Sequence, residues 1–113
     1  MAAEQNALDL GLTFAEQEPG YLNLCARSGN LLFSSGHTSD MKGKLGADLT
    51  VEQGYEAAQV TALNLLGVLK AELGDLDRIN RIVKLLCMVN SAPDFGDQPA
   101  VANGCSDLLV EIF

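Results

Sequence analysis

Between Thr50 and Gly74 the chain is committed to one long helix, and everything else in it has to fold around that rod. The run Thr50-Val51-Glu52-Gln53 has the capping-box form, in which the threonine hydroxyl accepts from the N3 amide while the glutamine reaches back to the N-cap amide. Tyr55, Ala58, Ala62, Leu65, Leu66, Leu69 and Leu73 then recur at three- and four-residue steps, so they share one face that needs a core to cover it. Gly74 supplies the left-handed position that closes such a helix. A chain of 113 residues has room for one domain and one core, so this face and every other apolar face must meet in the same interior.

The partner layer is expected to be a sheet. Tyr21 to Arg27 and Leu31 to Ser35 are short β-prone runs joined by Ser28-Gly29-Asn30, a glycine-containing hairpin loop. Arg81 to Asn90 is rich in valine, isoleucine and leucine and too short for a second long helix, so it reads as a largely buried, central strand. A right-handed crossover through the long helix would bring that strand into the same sheet. Asp97 followed by Pro99 marks the start of another helix, with Val101, Cys105, Leu108, Leu109 and Ile112 as its apolar face. Ahead of the first strand, Asn6 to Phe14 reads as a short helix or arm weakened by Gly11, and Glu16 to Gly20 as a turn. The polar, glycine-punctuated stretch after Gly36 reads as a loop with room for an extra short strand. The order β, β, α, β, α describes an α+β domain with helices on one face of a sheet.

Charge narrows the function. With 48% hydrophobic and 19% charged residues, the chain is too apolar to be disordered. Fifteen acidic against seven basic residues give a net charge of -8, which repels polyanions. Lys42 and Lys44 flank a glycine, and Arg78, Arg81 and Lys84 are spread along one segment, so no basic stripe is available for phosphates. Cys25, Cys87 and Cys105 form no CxxC and have no histidine pair nearby, which argues against a zinc site and a disulfide framework. Each cysteine is expected to act as a small hydrophobe in a reducing cytoplasm. Met1 to Leu12 carries Glu4 and Asp9 without a basic region or a long apolar run, so neither a signal peptide nor a membrane span is expected there.

Several segments, in this order, resemble the RidA family (YjgF, reactive intermediate deaminase, also described as endoribonuclease L-PSP). They are Gly29-Asn30-Leu31-Leu32-Phe33-Ser34-Ser35-Gly36-His37, then Ala62-Leu63-Asn64-Leu65-Leu66 in the long helix. Gly74-Asp75-Leu76-Asp77 leads into Ile82-Val83-Lys84-Leu85, and Asp94-Phe95 is followed by Asn103. The likeness covers residues 20–113, with 1–19 as an N-terminal arm, and looks closest to the branch with a long connection between the Asp-Phe pair and the asparagine.

The resemblance implies a chorismate-mutase-like fold of the bacillus type, with two helices packed on one face of the sheet. It also implies a homotrimer with active sites in the clefts between subunits, and no cofactor or metal. The implied activity is hydrolysis of reactive 2-aminoacrylate-type enamines and imines to 2-keto acids and ammonia, so the expected partner is a small carboxylate-bearing molecule. Carried over by position, Tyr21 matches an aromatic cleft residue and Gly36 a glycine whose backbone approaches ligand. His37 stands where the family has glutamine, and Asn103 resembles a cleft asparagine at the start of the second helix. From the residues alone, Tyr21 is equally at home packed on a sheet, and Gly36 as a strand terminator. His37, as an imidazole, suits acid or base work, while Asn64 interrupts the apolar stripe of the long helix and fits either an interface or a solvated face. No residue is assigned as catalytic.

The family's final hairpin, which begins with an arginine-bearing segment, has no counterpart in the sequence. Arg27, Arg78 and Arg81 are the only arginines, and none stands in that context. The expectation is therefore either a C-terminally truncated fragment or a chain without that half of the cleft. A non-catalytic ligand-binding or assembly protein on the same scaffold is the alternative function. A ribonuclease is the reading that the acidic charge disfavours most.

Overall fold

The computed structural model describes residues 2–16 and 23–113. The long helix α2 runs from Val51 to Leu73, and both halves of the predicted capping box are formed. Gln53 N–H donates to the Thr50 hydroxyl at 3.2 Å, and Thr50 N–H donates to the Gln53 side chain at 2.9 Å. Gly74 ends the helix at φ 81°, returning its N–H to the Lys70 carbonyl. Replacing Thr50 with alanine leaves amides at this helix start without their acceptor, and about 1 kcal/mol of stability should be lost in urea unfolding.

α3 spans Gln98–Ile112, and all five residues of its predicted apolar face are buried. Asp97 is the N-cap residue but its side chain makes no capping bond. Pro99 removes one of the amides such a cap would serve, and the Ala100 and Val101 amides turn to the Asp97 main-chain carbonyl instead. α3 lies alongside α2 in the same direction. Gly54 approaches Val101, Gly104 sits on the Tyr55 backbone and Ala58, and further along Leu66, Leu108, Leu109 and Ile112 join one core with Ala58 and Ala62. Tyr55 braces the pair by donating from its hydroxyl to Asp107 at 2.8 Å. That bond to the carboxylate raises the tyrosine pKa above its ordinary value.

Helix α1 covers Ala3–Asp9, earlier than the Asn6 to Phe14 expected, and the chain turns at Gly11 with φ 71°. It closes over the C-terminal ends of α2 and α3. Asn6 donates to the Ile112 carbonyl at 2.7 Å, while Lys70 donates to Glu4 at 2.8 Å. Glu4 also accepts from the Leu76 amide, and its own amide donates to Asp77. Asp75 caps, and Asp77 lies within, a short 3-10 turn at Leu76–Arg78 that holds α1 down.

The bond from Lys70, followed by that from the Leu76 amide, draws the Glu4 pKa below its ordinary value of 4.5. A carboxylate depressed in the folded state adds stability above the unfolded pKa and loses it as pH falls through the folded one. Glu4→Gln should therefore cost about 1 kcal/mol near neutrality, a value reduced by the partial exposure of the pair. The difference from the parent should shrink in acid, as followed by urea unfolding at several pH values.

β1 (Cys25–Ser28) and β2 (Leu31–Ser34) form the predicted antiparallel hairpin, with Cys25 opposite Ser34 and Ser28 opposite Leu31. The turn is therefore the two residues Gly29-Asn30. Gly29 at φ 57° supplies the positive φ that tight hairpin turns of this kind require.

The central strand expected at 81–90 does not form a ladder among the described residues. The loop at Gly43 to Leu45 reaches its end, Leu45 accepting from the Ala92 amide and donating to the Asn90 carbonyl, and the Asn90 side chain donating to the Gly43 carbonyl. The run is apolar enough for a strand covered on both faces, yet of its residues only Ile82 packs against the helical core. Val83, Leu86 and Met88 are 69%, 81% and 86% exposed. Strand pairing depends on a neighbour far away in sequence, and among the described residues the hairpin pairs only with itself.

Candidate functional site

The middle of α2 turns Leu63, Asn64 and Gly67 away from α3, toward the segment following β2 and the end of the N-terminal arm. There they line a cleft of about 220 Å3 together with His37, Ala15 and Glu16. Asn64 steadies the loop by donating to the Thr38 carbonyl at 3.4 Å. His37 is half-buried, and its Nε2 shares a 3.2 Å hydrogen bond with the Ser35 hydroxyl. That leaves Nδ1 without a protein partner among the described residues, available to a ligand or water. A neighbouring groove of about 710 Å3 shares Ala15, Glu16 and Gly67 and continues under the arm past Phe14, Lys70 and Glu4.

Of the residues proposed from sequence, His37 lines this cleft, while Gly36, which precedes it in the chain, lines neither cavity. Gly36 is exposed, and a side chain there would meet open space, so its backbone is accessible. Asn103 is exposed on α3, accepts from the Ser106 hydroxyl through its main chain, and does not line the cleft. Tyr21 lies outside the described residues. Asn64 joins His37 in the cleft. Sequence reasoning missed Leu63, Gly67, Ala15 and Glu16 as cleft residues. They meet through tertiary packing of the arm on α2, for which no local pattern exists.

The charges around the cleft are uneven. Lys70 is committed to Glu4 and also lies 5.4 Å from the centre of the Phe14 ring, whereas Glu16 has no partner among the described residues. Arg27 and Arg78 donate to the carbonyls of Gly29 and Leu73, and no arginine lines either cavity. Cys105 is buried and Cys87 exposed, so only the first behaves as the small core hydrophobe expected. Burial, and next the neighbouring Cys87, pushes the Cys105 thiol pKa up, which makes it a poor nucleophile. No helix among the described residues is long and apolar enough to cross a membrane.

Two helices against a hairpin, with a small cleft at their margin, define an α+β domain of the chorismate-mutase-like kind. The chain belongs to the family described as "YjgF/chorismate mutase-like, putative endoribonuclease", whose model matches residues 20–113. Protein TCP17 of Trypanosoma cruzi is 52% identical over 73 residues, covering 65% of this chain and 46% of that one. This chain thus spans about half the length of that curated relative.

Two solved structures share the fold. The protein Atu1372 of Agrobacterium tumefaciens, described as of unknown function, superposes with a TM-score of 0.87 at 34% identity, covering 98% of this chain and 73% of that one. A protein of Shewanella oneidensis MR-1 described as a "putative endoribonuclease" does so at 0.88 and 33%, covering 98% and 79%.

Proposed function

We propose that the chain is a RidA-like deaminase acting on small reactive enamines and imines of the 2-aminoacrylate type, giving 2-keto acids and ammonia. The observation that carries this reading is the His37–Asn64 cleft on a YjgF-family scaffold. The chemistry asks little of a protein. The enamine tautomerises to an imine, and protonation of its nitrogen makes the carbon electrophilic. Water oxygen bonds that carbon as the C=N electron pair moves to nitrogen. The added water gives up a proton and the amino nitrogen takes one up, so the carbinolamine expels ammonia with the C–N pair, and its hydroxyl proton departs to leave the ketone. A side chain that holds the water and takes its proton lowers the first barrier, and the free Nδ1 of His37 is suited to that task.

The test is ammonia release from an enamine generated in situ, which should exceed the solvent rate in proportion to protein concentration. A rate equal to solvent at every concentration overturns the assignment. Within the same assay His37→Ala should lower kcat/KM by about 10²-fold, the usual scale for losing a positioned acid or base.

A homotrimer with Tyr21, Gly36 and Asn103 contributing to clefts between subunits is part of the proposal. It would explain why Asn103 stands apart from His37 within one chain, and light scattering checks it. The exposed Val83, Leu86 and Met88 favour a second reading, a non-catalytic assembly or ligand-binding role.

A further inference from the structure

We propose that Cys87 and Cys105 form a peroxide-responsive pair, closing to a disulfide that staples the extended run after Ile82 onto α3. Residues 79–90 contain no turn or bend, so successive side chains point to opposite faces. Leu86 and Met88 are 81% and 86% exposed, whereas Leu85 at 39% and the half-buried Val89 are better covered. Cys87 stands between Leu85 and Val89 at the same alternation, on the covered face. Both ends of the run are tied to the helices. At one end Ile79 belongs to the core cluster that holds Cys105, Leu108 and Ile112, and Ile82 packs against it. At the other, Asn90 and Ala92 bond the Leu45 backbone, and the Leu45 side chain meets Val101 over Gly54. From that junction α3 running forward and the run traced backward head toward the same core cluster. Cys105 is four residues on from Val101, about 6 Å along a helix, and Cys87 three residues back from Asn90, about 10 Å along an extended chain. The thiols thus come nearly level, and burial first, with the nearby Cys87 next, raises the Cys105 thiol pKa.

The order of events follows from exposure. Cys87 is exposed and Cys105 buried, so hydrogen peroxide reaches Cys87 first. Its thiolate sulfur bonds one peroxide oxygen as the O–O bond breaks, and the other oxygen leaves as hydroxide, which takes up the thiol's proton. The Cys105 sulfur then gives up its own proton and attacks the sulfenic sulfur. The S–O bond breaks, and the departing hydroxide takes that proton as water. Two thiols are oxidised and one peroxide is reduced to two waters. Cys105 is a slow nucleophile, which its fixed position beside Cys87 offsets. Leu86 and Met88 stay on the opposite face, so the bond fixes the run without covering them.

The test exposes the reduced full chain to hydrogen peroxide, blocks remaining thiols with iodoacetamide, and maps the unreduced peptides by mass spectrometry. A Cys87–Cys105 crosslink should form within single chains, with the loss of two hydrogens. The urea midpoint should rise with it and return to its starting value in dithiothreitol. In Cys105→Ser the sulfenic acid should persist on Cys87 and be captured by dimedone, while Cys87→Ser should leave Cys105 a thiol. Because the crosslink is read in the parent chain, the pairing is decided even where a variant fails to fold. A bond between two chains, a bond from either thiol to Cys25, further oxidation of Cys87 with Cys105 still reduced, or two unreacted thiols would each overturn the proposal.

Discussion

Gly104→Ala should destabilise the protein by about 3 kcal/mol, although alanine in place of a helical glycine ordinarily stabilises by about 1 kcal/mol. The sign reverses because a methyl group at Gly104 falls on the Tyr55 backbone carbonyl and crowds the Ala58 side chain. A carbonyl inside α2 cannot swing aside, so the two helices must separate. Separation loosens the core that Leu66, Leu108 and Ile112 share, and with it the position of Asn64 on the opposite face of α2. Gly54 offers the contrast. A methyl there meets side chains instead of backbone: the end of Leu45 at 2.7 Å, which can rotate, and the Val101 methyls at 2.9 and 3.1 Å. Gly54→Ala should therefore cost about 1 kcal/mol or less, overpacking and helix propensity partly offsetting one another. Urea midpoints at constant slope separate the two cases. Equal effects would mean that the α2–α3 contact is not as close as the structure has it.

The helices were readable from sequence because their determinants are local. The capping box at Thr50, the closing glycine at position 74 and the apolar face of α3 each lie within a few residues of the structure they specify. The hairpin was readable for the same reason, through Gly29-Asn30. The segment 81–90 was not, since its composition reports a wish for burial but not whether a neighbouring strand is at hand. At the site, His37 was visible through a family motif, and Asn64 as a polar interruption of an apolar stripe. Glu16 was hidden in what reads as an ordinary polar turn, and only the docking of α1 through Glu4, Asn6 and Lys70 brings the arm to the cleft. Asn103 was placed by analogy of position, and within one chain the fold keeps it away from His37.

The cleft is the place where these threads meet. Leu63 lines it from α2, half-buried and packed only at the edge of the core, so a larger side chain there has room to project into the opening. Leu63→Trp should fill the cleft with its indole while α2, capped at both ends, keeps its structure. A substrate would then be unable to reach His37 and Asn64 together. The decisive measurement is ammonia release by this variant beside the parent chain, with circular dichroism and urea unfolding confirming that it is folded. Chemistry in this cleft predicts a rate that falls to that of solvent. A folded Leu63→Trp protein that releases ammonia as fast as the parent would place the reaction elsewhere.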